Sequence, residues 1–212
     1  MRPRPARKLR RNSNPLTDRE QAARNSTHRR KAAKRHNVQA LNASRARDLL
    51  QELPAPGESL HGIQKGNFNF FDIIPAAMQL ARPATVNVLA IATLGFSRDN
   101  VDALLEMIDA GQVARVQLVA SVFHQAHNPD DCAHARNGLA SRGSSFHACR
   151  NHAKVICFDF TDGQAFALEG SANLRSCRMV EQFCLTHDAD LVAFHRRWIE
   201  ELIRTEAEAA ES

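Results

Sequence analysis

Residues Asn151 to Leu185 read NHAKVICFDFTDGQAFALEGSANLRSCRMVEQFCL, and their reading decides the fold. His152 and Lys154 lie two apart in a segment of strand character. Ser171 and Asn173 lie two apart at the end of the next, and Glu181 opens a third. Side chains two apart on a strand share a face, so each pair offers its polar groups to one side of a sheet. Val155, Ile156, Phe158, Ala165, Phe166 and Leu168 form an apolar wall behind them. An imidazole, an ammonium, a hydroxyl, an amide and a carboxylate converging on such a wall form a set able to bind and attack a phosphate. As ordinary strand-end and turn residues they would have no cause to cluster there, since buried polar groups are seldom left without partners.

Working outward, Asp162-Gly163 in Thr161-Asp162-Gly163 is a hairpin signal between the strands His152–Phe160 and Gln164–Ser171. Upstream, Thr85–Leu94 (TVNVLAIATL) is a near-continuous aliphatic and β-branched run, as expected of a strand buried on both faces. Ser97 reads as the N-cap of a helix carrying Val101, Leu104, Leu105 and Ile108, which Gly111 stops. Val113–Phe123 reads as a second buried strand, Asp130–Arg142 as a helix ending at Gly143, and Ser145–Cys149 as a short strand. Phe68–Leu80 has a helical apolar pattern despite Pro75. Val180–Thr186 reads as a further strand, and Asp190 as the cap of a last helix with Leu191, Phe194, Trp198, Ile199 and Leu202 on one face. Strand, helix, strand, helix in succession argues an α/β domain with a mixed β-sheet flanked by helices.

Charge divides the chain unevenly. Residues 1–47 hold 15 of the 28 Lys and Arg but only Asp18 and Glu20 of the 23 acidic residues, a net of +13 on a remainder of −8. They have almost no large apolar side chains, so a disordered basic arm is expected, with a helix over Leu16–Lys34 forming on a polyanion. Such arms bind nucleic acid, and Arg29, Arg30, Lys31, Lys34 and Arg35 are its candidate contacts. Pro54 and Pro56-Gly57 break the chain, which divides it into an arm (1–47), a linker (48–64) and one domain (65–212). The five cysteines, with an opening that lacks the apolar core of a signal peptide, read as reduced thiols of a cytoplasmic protein. No apolar run reaches the length of about 18 residues that a membrane span needs.

His152-Ala-Lys154, four residues, Asp159, then Gly170-Ser171-Ala-Asn173 resembles the HKD motif of the phospholipase D superfamily, H-x-K-x4-D followed by G-S-x-N. Glu181 in VEQF resembles the family's later carboxylate, and the likeness covers residues 65–204. More narrowly, the chain resembles short, single-motif members from bacteria, phages and mobile elements. One departure is the stretch from Asp159 to Gly170, longer than the family's usual interval, which a longer Asp-Gly hairpin absorbs. The resemblance implies a phospholipase D-like phosphodiesterase whose single motif works in a homodimer, where two copies of His152 face one phosphate. One attacks to give a phosphohistidine, and the other protonates the leaving oxygen. Lys154 and Asn173 would hold phosphoryl oxygens, with Ser171 as a further donor. Glu181 would fix the tautomer of His152, and Asp159 and Gly170 would be structural.

That scheme needs no cofactor and no metal, because lysine supplies the positive charge. The competing reading, zinc, rests on Cys132-x-His134 and His147-x-Cys149-x2-His152, which lack the clean cysteine pairs of structural sites. Arg175, Arg178 and His124 are secondary candidates for substrate contact. The basic arm favours nucleic acid, DNA before RNA, and hence an endonuclease. The alternatives are a phospholipid-cleaving enzyme of the same superfamily, and a non-catalytic nucleic-acid-binding accessory protein of a phage or mobile element.

Overall fold

The run Val86–Ala92 is buried at six of its seven positions, and a strand apolar on both faces is stable only inside a sheet covered on both sides. The computed structural model describes residues 26–31, 36–41, 46, 50–65, 69–175 and 179–211. The strands are β1 (Ser26–Lys31), β2 (His36–Leu41), β3 (Ser59–Lys65), β4 (Val86–Ala92), β5 (Val113–Ser121), β6 (Ser145–Cys149), β7 (Val155–Phe160), β8 (Ala165–Gly170) and β9 (Val180–His187). They form one mixed sheet in the order β2-β1-β3-β9-β8-β7-β4-β5-β6. β4, β5 and β6 run parallel, and the remaining neighbours are antiparallel.

The helices are α1 (Ile73–Leu80), α2 (Arg98–Asp109), α3 (Val122–His127), α4 (Pro129–Ala140) and α5 (Ala189–Glu211). One face of the sheet carries Leu89, Ile91, Ile156, Phe158, Phe166, Leu168 and Phe183, packed with Ile74 of α1, Leu104 of α2 and Leu139 of α4. The other carries Val88, Ala90, Val155, Cys157 and Ala167 against Val192 and Ile199 of α5. Each large apolar side chain removed from water here contributes about 1.5–3 kcal/mol, so the two-sided core dominates the stability. Burial pushes the Cys157 thiol up to about 12, which makes it a packing residue and not a nucleophile. α5 is also tied to the sheet by an ion pair and a hydrogen bond: Arg196 Nη1 lies 2.7 Å from Asp159 Oδ2, and His195, whose Nδ1 accepts from Trp198 Nε1, donates through Nε2 to Glu169 Oε1 at 3.2 Å. Among the described residues, no helix is long and apolar enough to cross a membrane.

Several local expectations match. Ser97 accepts from the Asn100 amide while Asn100 Oδ1 accepts from the Ser97 amide, a reciprocal capping box. Gly111 and Gly163 take positive φ, at the end of α2 and in the β7–β8 turn. Pro75 stands in the first turn of α1, where its missing N–H costs nothing.

Other expectations are corrected. Within the arm expected to be disordered, residues 26–31 and 36–41 are strands, paired as a hairpin that adds β1 to β3 by backbone hydrogen bonds. Residues 26–31 of the span expected to turn helical on a polyanion, Leu16–Lys34, are strand β1 here, and the rest of that span lies outside the described residues. β3 lies largely within the expected linker and is paired along its length with β9. The strand expected to reach Phe123 ends at Ser121, whose hydroxyl accepts from the Phe123 amide and starts α3. His152 and Lys154 precede β7 in a loop and are not part of the strand. The last helix is capped by Asp188, whose Oδ1 accepts from the amides of Asp190 and Leu191.

Asp188→Ala leaves those two amides without their acceptor. Loss of an N-cap costs about 1 kcal/mol, so the thermal midpoint should fall by about 2–4 °C. Differential scanning calorimetry showing no change, with an equal loss for Asp190→Ala, would restore Asp190 as the cap.

Candidate active site

The register brings four chain ends to one margin of the sheet. Ala92, ending β4, pairs with Val155, which begins β7, and Val155 pairs with Glu169 near the end of β8. Gly170 pairs with Phe183 near the start of β9. The Gly170 amide donates to the Lys154 carbonyl at 3.2 Å, so the segment after β8 lies beside the segment before β7 whatever the length of the hairpin joining them. Gly170 is required for the close approach: a Cβ there would stand 2.8 Å from the Gln182 carbonyl oxygen and 3.3 Å from Phe183 Cβ.

The segments enclose an open cavity of about 490 Å³ lined by Leu94, His152, Ala153, Lys154, Gly170, Ser171 and Asn173. The alternation in Ala172-Asn173-Leu174 explains why Asn173 faces it, since Ala172 and Leu174 are buried on either side. Asn173 Oδ1 accepts from the Leu94 amide at 3.2 Å. That bond turns the carboxamide so that its donor end, Nδ2, remains for other partners. Lys154 Nζ lies 3.2 Å from His152 Nδ1 and 2.9 Å from the His152 carbonyl oxygen. An ammonium only donates, so Nδ1 accepts and the proton of the neutral ring stands on Nε2. Burial lowers the Lys154 pKa, and the Glu181 carboxylate opposes part of that shift.

Ser171 and Glu181 meet in a way the motif does not announce. The Ser171 hydroxyl donates to Glu181 Oε2 and accepts from the Gln182 amide. The single hydroxyl proton of Ser171 is therefore committed to Glu181. The expected bond from Glu181 to His152 is replaced, among the described residues, by Glu181–Ser171 and Lys154–His152 pairs. Gln64 lies opposite Glu181 in the β3–β9 register, buried with neither carboxamide atom hydrogen-bonded. Nothing in the sequence flags that residue.

None of the remaining candidates among the described residues lines the cavity. Asp159 lies on the sheet face toward α5, paired with Arg196. His124 is buried in α3, and its Nδ1 lies 3.2 Å from Asn128 Nδ2. Burial, helped by the charge of Arg175, lowers its pKa. Arg175 is exposed. Arg178, Lys34 and Arg35 lie outside the described residues, and Arg29, Arg30 and Lys31 are placed only as positions along β1. Of the residues considered for zinc, His134 Nε2 lies 2.6 Å from Asp102 Oδ1. No group of three or more His, Cys, Asp or Glu placed to hold a metal occurs among the described residues.

No family model and no curated protein matches the chain. Among solved structures, it is similar to a phospholipase D family member, Nuc, from Salmonella typhimurium. The identity is 18%, the TM-score 0.43, and the match covers 56% of this chain and 78% of that one. It is also similar to polyphosphate kinase from Porphyromonas gingivalis, at 14% identity and a TM-score of 0.48, over 68% of this chain and 26% of that one. At these scores neither likeness decides the fold or the chemistry of this chain, and what the site can do rests on its own residues.

The lowered Lys154 pKa sets a pH dependence. Lys154 loses its proton below the ordinary lysine value of about 10.4, and with it the charge that attracts an anion. Affinity for inorganic phosphate, measured by calorimetry above pH 8 where the ligand stays a dianion, should fall as pH rises through that lowered value. Lys154→Arg should move the fall to higher pH, because guanidinium stays charged. A wild-type profile that falls no earlier than that of Lys154→Arg would remove Lys154 from the anion site.

Proposed function

We propose that this protein is a metal-independent, phospholipase D-like phosphodiesterase that cleaves nucleic acid, DNA before RNA, as a homodimer. One observation carries the reading. The cavity is lined by an ammonium, an imidazole and a carboxamide whose acceptor end is already engaged, and among the described residues no acidic side chain lines it. The nearest carboxylate with a role, Glu181, is held by Ser171. Cationic and neutral donors around an open cavity suit a tetrahedral anion.

In the mechanism, Lys154 Nζ and Asn173 Nδ2 hold non-bridging oxygens of a phosphodiester. Lys154 now donates to His152 Nδ1, so its transfer to a phosphoryl oxygen frees Nδ1 to carry the ring proton. His152 Nε2, then unprotonated, attacks phosphorus, a P–N bond forms, and the P–O bond to the leaving group breaks. The leaving oxygen takes a proton from a second ring, present as the imidazolium, because the attacking ring's one proton is on Nδ1, on the side of the ring away from phosphorus. That second imidazole is His152 of another copy, since the motif occurs once in the chain. The same ring then removes a proton from water, which attacks the phosphohistidine and restores the first imidazole. A two-fold pair is the commonest geometry for such sharing. Glu181 acts at one remove: it fixes Ser171 and opposes the loss of charge on Lys154.

Support for nucleic acid as substrate lies in the charge: residues 1–47 carry a net +13, and lysine and arginine bind phosphate backbones by releasing counterions. Lipid is the weaker reading, because the described lining of the cavity is mostly polar, with His152, Lys154, Ser171 and Asn173 against Leu94 and Ala153.

Plasmid and short oligonucleotides should be cleaved in EDTA, and His152→Ala should lower the rate by at least about 10³-fold, as loss of a nucleophile does. Adding His152→Ala subunits under conditions of exchange should lower the activity per wild-type subunit. Nucleic acid left intact while a phosphodiester lipid is hydrolysed would transfer the function to lipid. Activity per wild-type subunit that stays constant would remove the shared site.

A further inference from the structure

The two halves of the motif share the backbone bond from Gly170 to Lys154, and both are also held by a turn that belongs to neither. β4 ends at Ala92, and Thr93, Leu94 and Gly95 follow. Thr93 is 1% exposed, and its amide donates to the Val119 carbonyl at 3.0 Å, which ties the turn to β5. Its carbonyl accepts from Asn151 Nδ2 at 2.9 Å, a buried bond. Its hydroxyl donates to the Gly95 carbonyl at 3.0 Å and accepts from the Leu174 amide at 3.4 Å. The next amide, that of Leu94, donates to Asn173 Oδ1 at 3.2 Å.

Asn151 uses both ends of its side chain. While Nδ2 holds Thr93, Oδ1 accepts from the Ala153 amide at 2.9 Å, so the backbone bends around His152 and its flanks are fixed. The turn itself cannot shift inward. A Cβ on Gly95 would stand 2.9 Å from His124 Nδ1, so the imidazole of His124 packs directly beneath it. One buried turn therefore serves as the common reference: Asn151 registers His152 and Lys154 against it, and Thr93 with Leu94 registers Asn173.

We propose that Asn151 and Thr93 are positioning residues for the reaction, acting through the turn Thr93–Gly95 to hold His152 and Lys154 at a set distance from Asn173. Neither residue lines the cavity or belongs to the motif. The inference rests on the proposed phosphodiesterase chemistry for its kinetic consequence, but the geometric coupling stands apart from it.

The test uses the full chain with Thr93→Val, Thr93→Ser and Asn151→Asp. Thr93→Val keeps the shape and removes the hydroxyl. Thr93→Ser keeps the hydroxyl, and Asn151→Asp keeps the acceptor for Ala153 but loses the donor to Thr93. With bis(p-nitrophenyl) phosphate in EDTA, Thr93→Val and Asn151→Asp should lower kcat about 10- to 100-fold, the scale of a misplaced reacting group, with KM little changed. Thr93→Ser should recover most of the loss. In ligand-free protein, Asn151→Asp should shift the side-chain amide resonance of Asn173, and Thr93→Val the ring resonances of His152. A merely structural role would lower stability without those reciprocal shifts. The proposal is overturned if folded Asn151→Asp retains kcat within about twofold, or if Thr93→Ser is as impaired as Thr93→Val. Wild-type protein inert toward the diester would overturn the phosphodiesterase reading instead, and the reciprocal shifts alone would then decide the positioning: present, it stands; absent, it falls.

Discussion

The antiparallel insertion of β7 between β4 and β8 is the constraint on which the site depends. β4 and β5 run parallel, as successive strands joined by a helix do. β7 enters against them, so its beginning meets the end of β4, and the hairpin returns β8 to the same margin. Had β7 joined parallel to β4, His152 and Lys154 would lie at the opposite margin from the turn after β4. The polar residues need no long loops to converge, because the strand ends deliver them. Apolar packing on both faces holds the strands, and the site inherits its rigidity from that core.

Electrostatics then divide labour among few groups. Lys154 is partly desolvated, which weakens its hold on its proton, and Glu181 restores some of it from behind Ser171. A carboxylate lining the cavity would repel the substrate; one held a residue away steadies the lysine at less cost. The free carboxamide end of Asn173 exists because the Leu94 amide occupies the other end. The anion-binding character proposed for the site is set as much by which atoms are already engaged as by which residues are present.

Much of the fold was legible because the signals are local. The β-branched run of β4, the Ser97 cap and the Asp162-Gly163 turn each express a short-range preference that packing did not overrule. β1 and β2 were not legible: their sequences hold few apolar residues, and what places them is backbone pairing of β2 to β1 and of β1 to β3, the latter across a long stretch of chain. α3 was hidden because Val122 and Phe123 extend an apolar run while being 41% and 59% exposed. In the site, the residue types pointed to phosphate chemistry, but their pairing did not follow from spacing. Glu181 could be ordered after Asn173 in the chain, yet only the β8–β9 register gives it to Ser171 and not to His152. Thr93 and Asn151 carry no signal at all, since a buried threonine or asparagine beside a strand end is common.

The central claim is that His152, Lys154 and Asn173 close around one tetrahedral anion, and a crystal structure with bound vanadate tests it most directly. The account places vanadium within bonding distance of His152 Nε2, its oxygens within hydrogen-bond reach of Lys154 Nζ and Asn173 Nδ2, and a second copy's His152 on the opposite side. Vanadate bound elsewhere, or a His152 ring turned away from the anion with Lys154 still on Nδ1, would contradict it.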